Sequence, residues 1–238
     1  MTTEKIIAVD YPLQQDLMLM DFWRRQTLQD FENTLSRVRS ACREANALRV
    51  MHDFHAWQRS PRDYVRAWEG MLTACEKQGF LAIPCLFNRW HDVNLDVGGI
   101  YLEQLIPDLS WAYQEGFYQR FLEDVMLPYA DDTRILLWDA CNKPLGVYPT
   151  HQDDPLMARF YELRWLRDMY CYAKKCRISQ PIALSIREDH DQETLSALSR
   201  CCDLYLLSPY LLRPDKTKAV MQCRVEGKPI RYVHEVTA

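Results

Sequence analysis

Short apolar runs alternate along the chain with longer segments whose apolar residues recur at helical spacing. The short runs predict seven strands, at residues 6–10, 48–54, 81–87, 135–138, 182–186, 204–207 and 230–234. The longer segments predict helices at residues 31–45, 61–78, 111–129, 155–176, 193–201 and 216–225. Ser60 and Pro61 are typical of a helix start and Gly79 of a helix end, so they bound the second helix.

Strands that alternate with helices predict a parallel sheet covered by helices, and at this level both a barrel and an open doubly wound sheet fit. No glycine-rich turn follows any strand, so a dinucleotide- or phosphate-binding fold has little support. The 238 residues, 48% of them hydrophobic, suit one sizeable globular domain. This length also lies toward the lower end of the range for a (β/α) barrel.

Composition excludes several classes of partner. A formal net charge of −4 gives no basic field to attract nucleic acid. No run approaches the roughly 20 apolar residues of a membrane span, and no secretory signal is visible. The nine cysteines lack CxxC spacing, which indicates reduced thiols. We therefore predict a cytoplasmic protein with neither nucleic-acid nor membrane partners.

Polar residues collect where the predicted strands end, as in Asp10, Asn88, Arg89, Asp139, Asn142, Ser208 and Tyr210. In a parallel barrel these ends share one face, where active sites lie. Simpler explanations exist for single residues, because Asp53 and Asp139 can cap helices and His52 can be a packing residue. Together, however, the residues predict a cleft for a polyhydroxylated ligand.

The same strand ends also carry residues that could bind a metal. The candidate ligands are His52, Asp53, His55, His91 and Asp92. No HExxH or similar spacing supports a metal site there, so we predict neither a metal nor any other cofactor.

Three of the strand ends resemble motifs of the retaining glycoside hydrolases with a (β/α)8 barrel, the cellulase-like family 5 group. Residues 46–57 resemble the second-strand N-x-x-R-V motif and the aspartate and tryptophan that follow it. Residues 134–144 resemble the fourth-strand R-V-x-x-W-D-x-x-N-E-P motif, which is fairly specific, and residues 227–235 resemble the weaker seventh-strand G-K-P-v-x-x-t-E motif. The likeness implies an α/β fold of the TIM-barrel type and hydrolysis of a β-linked oligo- or polysaccharide.

The resemblance also implies roles for individual residues. Glu235 would be the nucleophile, and Arg49 would bond its carboxylate and lower its pKa by opposite charge. Asn142 would bind the sugar 2-hydroxyl, a contact that strengthens in the transition state. Trp23, Trp57 and Trp90 would stack on sugar rings, although helix-to-barrel packing is as good an explanation for Trp23. The other predicted substrate-binding residues are Asp53, His91, Tyr210 and His234.

Lys143 departs from the family pattern, because it stands where the family has its acid/base Glu. A retaining mechanism needs two carboxyl groups about 5–5.5 Å apart. Lysine, with an unperturbed pKa of about 10.4, cannot act as the base of the second step. Replacement acids in the sequence are Asp139, Asp153, Asp154 and Glu188, and nothing in the sequence chooses between them.

The C-terminus is the second departure, since only three residues follow Glu235. We expect residues 1–238 to form one barrel domain that is truncated after strand seven. Its first and last strands would then leave an open edge, through which the chain can self-associate. Two functions compete: an impaired glycoside hydrolase, and a non-catalytic carbohydrate-binding relative or inactive truncated pseudoenzyme. Lys143 and the missing eighth unit favour the second.

Overall fold

Parallel strands form a barrel with helices around it. The computed structural model describes residues 6–12, 19–89, 99–145, 155–187, 190–207 and 230–234, and for 230–234 only the backbone. The strands are β1 (Ala8–Asp10), β2 (Ala47–Met51), β3 (Leu81–Asn88), β4 (Trp138–Asn142), β5 (Ile182–Ile186), β6 (Leu204–Leu207) and β7 (Ile230–His234). Each of the first six pairs in parallel with the next, and the predicted α/β barrel is confirmed.

The strand β7 closes the barrel. It pairs in parallel with β6 on one side and with β1 on the other, where Ala8 lies opposite Val233 and Val9 opposite His234. The expected open edge between the first and last strands is therefore wrong, because the described part of β7 fills the gap that an eighth strand would occupy. Self-association through an open edge loses its structural basis.

Eight α-helices lie among the described residues. They are α1 (Leu19–Arg25), α2 (Leu28–Ala41), α3 (Phe54–Arg59), α4 (Pro61–Lys77), α5 (Trp111–Gln114), α6 (Phe117–Val125), α7 (Pro155–Lys175) and α8 (Gln192–Leu198). Short 3-10 turns occupy Leu102–Leu105, Leu127–Tyr129 and Ser199–Cys201. The helix predicted at residues 216–225 lies outside the described residues. Of the described helices, none has the length and apolar character that a membrane crossing requires.

Helix boundaries follow from local chemistry. The Thr27 hydroxyl caps α2 by accepting from the Asp30 amide, and the Asp30 carboxylate accepts from the Thr27 amide, so N–H groups at the start of the helix are satisfied. As predicted, Pro61 begins α4 and Gly79 follows its end with a φ of 70°. The Ser60 hydroxyl donates to Asp63 instead of capping the backbone.

The barrel interior is filled by layers of side chains. The layer nearer the N-terminal ends of the strands is apolar and consists of Ala8, Ala47, Ile83, Leu137, Ala183, Leu204 and Leu206. Alternate residues of a strand face the same way, so the residues two positions further along form the next layer. That layer is mostly polar and contains Asp10, Arg49, Cys85, Asp139 and Ser185. The polar layer lies toward the C-terminal ends of the strands.

Candidate functional site

The Arg49 guanidinium is the centre of the polar layer. Its Nε donates to Asp139 Oδ2 at 2.8 Å, and its Nη1 donates to Asp10 Oδ1 at 3.0 Å. Its Nη2 donates to Asn142 Oδ1 at 2.9 Å and to Ser185 Oγ at 3.0 Å. Four strands therefore meet through one side chain that is only 8% exposed.

Charge within this layer is tightly fixed. Burial opposes the charge on Arg49, but the carboxylates of Asp139 and Asp10 outweigh this effect and raise the pKa of the guanidinium well above its ordinary value. Burial is also the main reason that the pKa of the Cys85 thiol lies well above its usual range. The layer thus holds a permanent cation beside an uncharged thiol.

Asp139 is fully buried, with no exposed side-chain surface. Besides Arg49, its carboxylate accepts from the Ser185 hydroxyl at 2.5 Å and from the Ser185 amide at 3.1 Å. All of these partners belong to the barrel interior. Asp139 therefore acts as a structural counterion and cannot reach a ligand outside the barrel.

Asn142 reaches the same layer because β4 is irregular. The pairing register between β4 and β5 shifts between Asp139 and Asn142, so these two residues, three apart in sequence, both bond Arg49. The Asn142 amide also donates to Asn88 Oδ1 at 2.8 Å. The side chain of Asn142 is thus fixed from two strands at the C-terminal end of the barrel.

The turn after β4 has an unusual backbone. Lys143 has a φ of 50° and Leu145 a φ of 55°, in the left-handed region that residues other than glycine seldom adopt. The Lys143 amide donates to the Ser185 carbonyl at 2.9 Å. The Leu145 amide donates to Glu162 of α7 at 2.8 Å, and Glu162 is paired with Arg89. Position 143 is therefore held by defined contacts on both sides.

Solved structures share this architecture, although no model of a protein family and no curated protein matches the sequence. GH5_18 from Streptomyces cattleya, solved with GlcNAc, superposes with a TM-score of 0.65 at 15% identity, over 86% of this chain and 50% of that one. An exo-β-1,4-mannosidase from Opitutaceae bacterium strain TAV5 gives 0.63 at 14% identity, over 86% of this chain and 38% of that one. A β-1,4-mannanase from the sea hare Aplysia kurodai gives 0.58 at 12% identity, over 99% and 81%.

The chain has the barrel fold of these glycoside hydrolases. At such identities the likeness concerns the fold alone. The chain spans about half the length of the Streptomyces cattleya protein, so activity does not transfer with the fold. The predicted resemblance is thereby supported at the level of architecture.

Two of the predicted site residues do meet. Arg49 Nη2 lies 2.9 Å from Asn142 Oδ1 at the C-terminal end of the barrel, and Lys143 follows Asn142 in the chain. His234 ends β7 opposite Val9, and only its backbone is described. Four further predicted residues lie outside the described residues: Trp90, His91, Tyr210 and Glu235.

The stacking role predicted for two tryptophans needs correction. Trp57 is 3% exposed, and its indole N–H donates to Asp124 at 2.9 Å. Trp23 is 1% exposed and donates to the Met51 carbonyl at 3.0 Å. Both rings are packed among other aromatic side chains between helices and strands, so neither offers a face to a sugar. The packing explanation holds for both.

Asp53 and His52 also have structural roles. Asp53 caps α3 by accepting from the Ala56 amide at 2.8 Å, and burial raises the pKa of its carboxyl. The Tyr64 hydroxyl accepts from the Asp53 amide and is 2.8 Å from His52 Nδ1. Burial lowers the pKa of His52 to about 3, so the imidazole ring is neutral. The predicted substrate contact of Asp53 is replaced by the capping alternative.

Sequence reasoning missed Ser185 and Glu162. Ser185 could have been found from strand alternation, because it stands two residues after the inward-facing Ala183. Glu162 lies within a long helix and gives no comparable signal. Among the described residues, no group of three or more His, Cys, Asp or Glu side chains is arranged to hold a metal ion.

Proposed function

We propose that this chain is a barrel of the glycoside-hydrolase type that binds a β-linked oligo- or polysaccharide and hydrolyses it poorly. The observation that carries the proposal is the polar layer around Arg49 at the C-terminal end of a barrel shared with glycoside hydrolases. The ligand class is supported by the neighbouring fold, since GH5_18 was solved with GlcNAc and a variant of it with Manβ1-4GlcNAc.

Arg49 is suited to hold a nucleophile. A guanidinium has five N–H groups, and four of those on Arg49 point to Asp139, Asp10, Asn142 and Ser185. Among the described residues, none accepts the second Nη1 hydrogen. We assign this hydrogen to Glu235, which follows β7 directly in the sequence. A permanent cation there would keep the Glu235 carboxylate ionised, as a nucleophile requires.

Asn142 is suited to contact the sugar. One hydrogen of its amide goes to Asn88, and the described residues offer no acceptor for the other. Because its carbonyl oxygen is fixed by Arg49, the amide is pre-oriented and loses little entropy on binding. We assign the second hydrogen to a sugar hydroxyl at the strand ends.

Tyr101 replaces the two buried tryptophans as the candidate stacking residue. It is 45% exposed and follows Ile100, whose amide donates to the Asn88 carbonyl at 2.8 Å. This places it at the rim of the barrel beside Asn88. An exposed aromatic face is what a sugar ring would need for stacking.

Lys143 accounts for poor hydrolysis, because an ammonium cannot serve as the base of a retaining mechanism. Asp139 is not a replacement acid, since it is fully buried and bonded to Arg49 and Ser185. The other candidates, Asp153, Asp154 and Glu188, lie outside the described residues. The same Lys143 favours the second candidate function, a carbohydrate-binding barrel without hydrolysis.

Replacement of Lys143 tests the proposal. Lys143→Glu should raise kcat/KM for unactivated β-1,4-linked oligosaccharides by about 10²–10⁴-fold, the usual contribution of a positioned acid/base. Dinitrophenyl β-glycosides should gain less, because their leaving group needs little protonation. The matched control is Lys143→Gln, which removes the charge without adding a proton donor and should give no rescue. Glu235→Ala should abolish all activity.

Carbohydrate binding, measured by calorimetry on the same variants, separates the two candidate functions. Binding with no hydrolysis by Lys143→Glu would leave the non-catalytic barrel as the function. Brisk hydrolysis by the unaltered chain, unchanged in Lys143→Glu, would show that another residue is the acid. No binding and no hydrolysis on β-mannosides and β-glucosides would refute the proposal.

A further inference from the structure

Arg89 and Glu162 form a buried ion pair directly behind the turn that carries position 143. Arg89 Nε lies within ion-pair distance of Glu162 Oε1, at 3.1 Å, and Arg89 Nη2 donates a hydrogen bond to Oε2 at 3.3 Å. The side chains are 3% and 0% exposed. Arg89 follows β3, whereas Glu162 belongs to α7, so the pair joins two separate elements of the barrel.

Both members also hold the loops around the site. The Arg89 amide donates to the Asn142 carbonyl at 3.0 Å, and its guanidinium bonds the Ile100 carbonyl. Glu162 accepts from the Leu145 amide at 2.8 Å. One buried pair thus fixes the backbone at Ile100 and the turn that follows β4.

The turn needs such support because its backbone is unfavourable. Lys143 and Leu145 both have positive φ, and a residue with a side chain persists in this region only where its surroundings enforce it. The Leu145 amide bond to Glu162 and the Lys143 amide bond to Ser185 bracket the turn. Helix α7, which carries Glu162, is itself packed against the barrel, since the ring of Trp165 lies 4.9 Å from that of Phe87 between centroids.

Stability alone is a weak reason for this arrangement. A buried ion pair is often no more stabilising than apolar side chains of the same volume, because both charges lose their hydration. Its directional bonds, by contrast, fix the geometry of every group it touches. The observation therefore favours a role in placing the turn.

We propose that Arg89 and Glu162 are positioning residues that hold position 143 and Asn142 in the geometry for glycan binding. This inference rests on the proposed function. Neither residue contacts the sugar itself, and both act through the backbone of residues 142–145.

The test uses the full chain and two readouts. The first is hydrogen exchange of the Leu145 amide, followed by NMR, which reports the turn whether or not a glycan binds. The second is the affinity for Manβ1-4GlcNAc by calorimetry, at a temperature where circular dichroism shows each variant to be folded. Affinity under these conditions is a property that a merely stabilising pair would leave unchanged.

The key variant is the double replacement R89M/E162L, which leaves no unpaired buried charge and should therefore fold. We expect Leu145 exchange to accelerate at least about tenfold, because a bond to a charged acceptor is lost. We expect Manβ1-4GlcNAc binding to weaken by at least about tenfold, because the turn and Asn142 are then no longer held in the binding geometry. Glu162→Gln should shift both readouts in the same direction and provides a second variant of nearly unchanged shape.

Glu69→Gln is the matched control, since Glu69 pairs with Arg134 at 2.8 Å just before β4, away from the strand ends that carry the site. It should leave Leu145 exchange and glycan affinity as they are. Unchanged exchange of the Leu145 amide in R89M/E162L would show that the ion pair does not hold the turn. Faster exchange with unchanged glycan affinity would show that the pair does not position the binding site. If the unaltered chain binds no glycan, the proposed function fails, and the exchange readout alone decides whether the pair holds the turn.

Discussion

Removal of the Asp139 carboxylate should be among the most damaging single changes to this fold. In Asp139→Ala, Arg49 loses the acceptor of its Nε bond, and the Ser185 hydroxyl and amide lose theirs. The site has no exposed surface, so water cannot take the place of the carboxylate. Removal of one partner from a buried ion pair typically lowers the free energy of unfolding by about 3–5 kcal/mol. We expect a loss in that range.

Asp10 provides an internal comparison, because it binds the same guanidinium. Its carboxylate is 3.0 Å from Arg49 Nη1, but its side chain is 26% exposed. Water can therefore solvate the freed N–H, and Asp10→Ala should cost about 1 kcal/mol or less, as for solvent-accessible pairs. The difference between the two variants isolates the effect of burial on one and the same cation.

Urea denaturation followed by circular dichroism and tryptophan fluorescence measures both effects. The free energies should be compared at equal m-values, since a changed m-value would indicate a different amount of surface exposed on unfolding. A loss of about 3–5 kcal/mol is a large part of the about 5–15 kcal/mol that stabilises a typical domain. Asp139→Ala should therefore be partly unfolded at 37 °C. Equal losses for Asp139→Ala and Asp10→Ala would refute the assignment of Asp139 as the buried counterion.

Two more predictions concern positions away from the site. Burial lowers the pKa of His52 to about 3, against about 6.5 in an unfolded chain, so only the unfolded state gains a proton between these values. Stability should fall by about 2–3 kcal/mol from pH 6.5 to 4.5, and His52→Phe should remove that pH dependence in urea titrations; an equally steep fall in the variant would contradict this. Gly116 has a φ of 68°, so Gly116→Ala should lower stability by about 1–2 kcal/mol. At Gly70, inside α4, an added Cβ would meet only Phe31 at 3.7 Å, so Gly70→Ala should raise stability by about 0.5–1 kcal/mol. Equal effects of the two glycine replacements would contradict the backbone argument.

The apolar strands could be predicted from the sequence because burial of all their residues requires an almost unbroken apolar run. β5 and β6 coincide with their predicted ranges, since every residue in them is buried. β4 was predicted at residues 135–138 but spans Trp138–Asn142. Its polar residues face the barrel interior and are satisfied there by Arg49. Hydrophobicity alone assigns such polar residues to a loop, which is why the predicted strand ended at residue 138.

Helix breaks were less predictable than helices. One helix was predicted at residues 111–129, but Gly116 adopts positive φ and separates α5 from α6. Residues 52–54 were assigned to the end of a strand, whereas Asp53 caps the short helix α3. In both cases one residue's backbone geometry decides the boundary, and the apolar pattern around it hardly changes.

The tryptophans show why a motif predicts a position better than a role. The resemblance placed Trp57 after the second strand, near the site in sequence. In space, α3 carries it between helices, where Phe121 packs on its ring and Asp124 accepts its N–H. Exposure depends on the neighbouring helices, about which a motif says nothing. Tyr101, in a segment without a motif, is 45% exposed and follows Ile100, whose amide bonds the Asn88 carbonyl.

The polar layer explains why the fold can persist when the charge at position 143 changes. Arg49, Asp139 and Ser185 satisfy one another within the barrel, so they stabilise it whether or not hydrolysis occurs. Lys143 lies in a turn beyond this layer, held through backbone bonds that do not depend on its side chain. The chemistry of position 143 can therefore change without loss of the fold. For this reason Lys143→Glu should fold like the unaltered chain, and any gain in hydrolysis can be attributed to the new carboxyl group.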